Sequence, residues 1–64
     1  MTIELCDLGD TDAVAMRVRG QEEVLLSDRV PASVRDSVAA QVQGLLEPGD
    51  GIAYIRGLYG VAEN

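Results

Sequence analysis

The chain has 64 residues, eleven of them acidic against five arginines, for a net charge of −6; it has no histidine, no lysine and one cysteine. That length sets one domain at most. The composition excludes a disulfide framework, nearly excludes a zinc site, and weighs against binding a nucleic-acid backbone or an anionic membrane surface.

A chain this short buries only about 60% of the surface its unfolded form exposes, so its stability is marginal. Disulfides and metals being unavailable, self-association is the remaining route to added stability. Hydrophobic residues make up 47% of the chain, too many for a disordered tail. The N-terminus carries acids and lacks a basic start followed by an apolar run, so no signal peptide is expected. No apolar run approaches the ~20 residues of a membrane span. A lone thiol suits a reducing compartment, and the expected location is the cytoplasm.

Residues 2–8 alternate, with Ile3 and Leu5 facing one way and Thr2, Glu4 and Cys6 the other, which predicts a strand. Gly9-Asp10-Thr11-Asp12 reads as a turn. Residues 13–19 alternate again: Val14, Met16 and Val18 share a face, opposite Ala15, Arg17 and Arg19. Gly20-Gln21 leads into a third strand over 22–27. A two-residue turn at Gly20-Gln21 is expected, setting Arg19 opposite Glu22, Val18 opposite Glu23 and Met16 opposite Leu25. A three-residue loop would instead set Arg17 against Glu23 and Met16 against Val24. One residue of slip swaps the faces of a strand, so the choice matters.

The one long periodic segment spans 32–47. Val34, Val38, Val42, Leu45 and Leu46 recur at three- and four-residue steps, with Ala39 widening the stripe, which predicts an amphipathic helix. Pro31 fits the first helical position, and Ser33 with Asp36 is an alternative cap. Three valines and Gly44 weaken its intrinsic propensity, so it should form only by packing on a sheet. Pro48-Gly49 ends it. A fourth strand is expected over 52–56. Its apolar residues on both faces suggest a central position. Residues 61–64 read as a loose end. The expected fold is α+β in two layers, one helix on a small, mainly antiparallel sheet in the order β-β-β-α-β.

No catalytic, cofactor-binding or metal-ligating residue is expected. Nucleophilic catalysis needs a base beside the nucleophile, and Cys6 has neither histidine nor lysine to serve it. Asp7, Asp10 and Asp12 form the densest carboxylate cluster, but their spacing is not that of an EF-hand and turn formation explains them. Arg17 and Arg19 are expected to pair with Glu22 or Glu23 across the hairpin. Arg35 falls within the helix's apolar arc, where its stem can cover the core edge.

Two surfaces are free to meet a partner. Ser33, Ser37, Ala40 and Gly44, flanked by Gln41, form a stripe of small uncharged residues opposite the helix's core face. An exposed helix face usually carries Glu, Lys and Arg, so this stripe is a candidate for a symmetric helix–helix contact. Glu4, Asp7, Asp10, Asp12, Glu22 and Glu23 are candidates for an acidic face against a basic partner. The edge of the first strand is a further possible contact. The expected function is a non-enzymatic, self-associating protein–protein interaction module with an accessory or regulatory role. The alternatives are an acidic inhibitor or antitoxin-like protein, and an enzyme subunit whose active site forms between chains. The partner is the chain itself or another protein, with no nucleic acid and no membrane.

Overall fold

The structure, a computed structural model, describes residues 2–57. Within them, one helix packs on a four-stranded, mostly antiparallel sheet in an α+β fold. The strands are β1 (Thr2–Cys6), β2 (Thr11–Val18), β3 (Gln21–Ser27) and β4 (Gly51–Arg56); a single 3₁₀ turn, Ala32–Val34, precedes helix α1 (Arg35–Gly44). The sheet order is β1-β3-β2-β4, with β1 parallel to β3 and the other pairs antiparallel. The expected loose end at 61–64 lies outside the described residues.

The β1–β2 connection must step over the place that β3 fills. Leu8 to Thr11 closes a turn through the Thr11 N–H and the Leu8 carbonyl, 3.1 Å, and Asp7 Oδ1 accepts from the Gly9 N–H at 3.1 Å. The connection is residues 7–10, as long as the expected turn at residues 9–12 but shifted two residues towards the N-terminus. Strand β1 ends at Cys6, before Leu8, and β2 begins at Thr11. Beneath this loop the Arg29 guanidinium donates to the Gly9 carbonyl, and the Asp28 N–H donates to the Cys6 carbonyl at 2.9 Å.

The hairpin turn has two residues, but they are Arg19 and Gly20 rather than Gly20 and Gln21. Val18 pairs with Gln21, Arg17 with Glu22, Met16 with Glu23 and Ala15 with Val24. Arg19 and Gly20 both have positive φ, 55° and 80°, as a type I′ turn requires. Its twist matches that of the flanking strands. The Asp50 carboxylate holds it, accepting from the Arg19 N–H at 2.9 Å. The pairing differs from the expected one by two residues, so every side chain keeps its expected face.

The helix is shorter than the periodicity predicts. Its i−4 ladder stops at Gly44, and the Leu45 and Leu46 N–H groups fall back on Val42 and Gln43, both at 3.1 Å. This tighter turn rotates Leu45 out of the core stripe, leaving it 54% exposed, while Leu46 packs against the core. Neither expected cap forms. Pro31 precedes the 3₁₀ turn in an extended conformation, and Val34 occupies the N-cap of α1 without a side-chain bond. Arg35 Nε donates to the Val30 carbonyl at 3.0 Å, tying the first turn of α1 to the chain that enters it.

Helix α1 lies over β2, β3 and β4. The side chains on its side of the sheet come in rows: Ile3, Val24, Ala15 and Ala53 form one, Leu5, Leu26, Ala13 and Ile55 the next, with Ile3 and Leu5 on β1 left 44% exposed. Ala13, Ala15, Val24 and Leu26 make the core with Val38, Ala39 and Val42 of the helix and Val30 from the linker, and Ile55 packs against it. Three of its eight buried residues are alanines, so the core is thin. Val30 lies outside both periodic patterns, and sequence reading missed it.

Strand β4 is an edge strand, not a central one. Its inner face, Ala53 and Ile55, meets the helix layer. Its outer face, Ile52 and Tyr54, is apolar, and among the described residues no element covers it.

Candidate interaction surface

The face of the sheet turned away from α1 has two rows of paired positions. Glu4, Leu25, Val14 and Tyr54 form one, and Thr2, Glu23, Met16 and Ile52 the other. Val18 extends the apolar strip towards the hairpin. Ile52, Val18 and Tyr54 are 63%, 59% and 55% exposed. The larger side chains of β2 and β4 thus face outward, while their alanines face the helix. Burial of apolar area is the main driving force of association, so an exposed apolar strip of this kind is a candidate contact surface. At its hairpin end lies a shallow depression of about 480 Å³, lined by Thr2, Met16, Val18, Arg19, Gln21, Glu22 and Glu23.

Charges border this strip unequally. Glu4 and Glu23 stand on the β1–β3 side. Arg56 stands on β4, its guanidinium 5.4 Å from the centre of the Tyr54 ring. Cys6, the chain's one cysteine, shares the face at the end of β1 as a half-buried free thiol.

The six acidic candidates do not form one surface. Glu4 and Glu23 are exposed on the open face, and Asp7 and Asp10 are exposed at the β1–β2 turn. Asp12 is fully buried at a bulge, where Thr11 opposes Arg56 and Ala13 opposes Ile55. Glu22 is committed to the helix side. Its Oε2 accepts from Arg17 Nη2 at 2.6 Å and Nε at 3.0 Å, and its Oε1 accepts from Gln43 Nε2 at 3.1 Å. These bonds, Arg17's first, hold the Glu22 carboxyl below its ordinary value of 4.5. The expected Arg17 ion pair is thus present, with Glu22 as its partner. Arg17 Nη1 also donates to the Glu47 and Gly49 carbonyls, at 2.9 and 3.0 Å, which fastens the loop leading into β4. Sequence reading missed this second task, which joins residues thirty and more apart.

Ser33, Ser37, Ala40, Gln41 and Gly44 are all exposed. Ser33 belongs to the 3₁₀ turn and the other four to α1. Among the described residues no three Asp, Glu or Cys side chains gather as a metal-binding group, and no helix is long and apolar enough to cross a membrane.

No family model matches this chain, and comparison with curated proteins and with solved structures gives no match.

Proposed function

We propose that the chain is a small, non-enzymatic protein–protein interaction module that self-associates in the cytoplasm in an accessory or regulatory role. The observation that carries this reading is the open sheet face. Strands that are apolar on both faces belong in sheets covered on both faces, and here the described residues cover one. The thin core gives the second covering a physical purpose. A 64-residue chain whose buried residues include three alanines gains stability by burying Val14, Met16, Leu25, Ile52 and Tyr54 against another protein. The lone thiol is the support for a reducing compartment.

Light scattering across a concentration series tests the reading. The expected result is a mass that rises above the 6.8 kDa of one chain with concentration and persists at high salt, because the contact is apolar. Ile52→Lys and Tyr54→Lys should hold the chain at monomer mass, whereas Ala40→Arg and Gly44→Glu on the helix stripe should not. Loss of association only in the helix variants would move the contact to α1. A monomer throughout would remove self-association from the proposal.

A further inference from the structure

The open face is also specific about how a second copy sits on it. We infer that two copies stack sheet on sheet, related by a twofold axis that runs along the strands and lies between the faces. This rests on the proposed self-association and adds its geometry. Two stacked sheets related by a twofold need an axis in the plane between them, and aligned packing of the sheets sets that axis close to along the strands or close to across them. An axis along the strands lays β4 of one copy over β1 of the other and keeps each row at its own height. Tyr54 then overlies Glu4 of the other copy, since both belong to the same row. Arg56 stands one step beyond Tyr54 on the same face. From there its guanidinium reaches Glu4 of the other copy, and symmetry makes the pair twice. An axis across the strands instead lays β1 on β1 and β3 on β3. It gathers Glu4 and Glu23 of both copies at one edge and both Arg56 side chains at the other, where like charges repel.

The charge balance of the face favours a second copy over a basic partner. Glu4, Glu23 and Arg56 leave it at −1, two acids against one arginine, while the chain as a whole carries −6. The acidity that a basic partner would seek lies elsewhere. Size fits a reversible dimer. Four strands about 4.8 Å apart and five or six residues long give a footprint of roughly 350 Å². Two such faces bury on the order of 1,000 Å² of accessible surface, the lower end for a specific interface.

Charge exchange in the full chain tests the arrangement, with sedimentation equilibrium as the readout and circular dichroism to confirm folding. Glu4→Arg and Arg56→Glu each set like charges against one another and should weaken the dimer about tenfold. The double variant restores opposite charges and should return to within a few-fold of the original. As a second reading, Arg56→Cys places a thiol over Cys6 of the other copy. A short bismaleimide that spans the ~10 Å between stacked sheets should then give a covalent dimer on a denaturing gel. The original chain, whose two Cys6 thiols stand at opposite edges, should not cross-link. A dimer that ignores the charge variants and gives no cross-link overturns this arrangement while leaving self-association standing. An original chain that stays monomeric overturns self-association itself.

Discussion

Single residues set the local geometry. Arg19 occupies the first place of a type I′ turn with φ of 55°, in the left-handed region that costs a residue with a Cβ about 1 kcal/mol. Its backbone N–H, not its side chain, holds Asp50. Arg19→Asn should therefore stabilise the chain by roughly 0.5–1 kcal/mol, seen as a higher urea midpoint. Glu22 gives a prediction in pH. Its folded pKa lies below the ordinary 4.5, so on acidification the unfolded chain takes up this proton first. The stability it contributes is fully present above 4.5 and is lost as pH falls through the lower folded value. Urea midpoints taken from about pH 6 to about pH 3 should fall more steeply for the original chain than for Glu22→Gln. Equal slopes would deny the carboxylate its role. Arg17→Lys keeps the charge but lacks the planar fork that bonds Glu22 and two carbonyls at once, so it should loosen the loop into β4. Faster amide exchange in Gly51–Arg56 is the measurement.

At the scale of elements, the helix depends on its packing. Gly44 is its last residue, and a Cβ there meets nothing within 4 Å. Gly44→Ala should accordingly raise stability by about 0.5 kcal/mol through propensity alone. Core truncations act in the opposite direction and more strongly. Leu26→Ala removes the largest fully buried side chain, a loss of about 2–4 kcal/mol. For a chain of 64 residues that is comparable with its whole stability, on the order of 3–10 kcal/mol. Leu45→Ala, at a position rotated into solvent, should change stability by less than about 0.5 kcal/mol. Thermal or urea unfolding of both variants separates a core stripe that ends at Val42 and Leu46 from one that includes Leu45.

Among the described residues, the sheet has one face packed against the helix over β2, β3 and β4 and one face that no element covers. The strands divide their side chains so that Ala13, Ala15 and Ala53 meet the helix while Val14, Met16, Tyr54 and Ile52 face away from it. A dimer that closes the open face stabilises the fold by mass action. Thermal midpoints should therefore rise with protein concentration, and Tyr54→Lys should abolish that rise. A midpoint independent of concentration would separate folding from association.

The alternation in the strands and the three- and four-residue steps in the helix were enough, by themselves, to determine the α+β class, the element order and which side chains share a strand face. These are consequences of local periodicity, and periodicity is visible in one dimension. The hairpin register was only partly legible, because two adjacent two-residue turns both suit the strand twist, and the Asp50 carboxylate that holds the observed one comes from a loop thirty-one residues away. Leu45 misled because a helix's last turn tightens where its ladder runs out. Strand order, which put β4 at an edge, is a property of neighbours in space. So are Arg17's reach to Glu47 and Gly49, the burial of Asp12, and the division of the acids among separate places. The apolar outer face of β4 was present in the sequence as a sign of burial on both sides. Only the tertiary structure showed that, among the described residues, one of those sides is covered, because one short helix can shield only one face of a sheet.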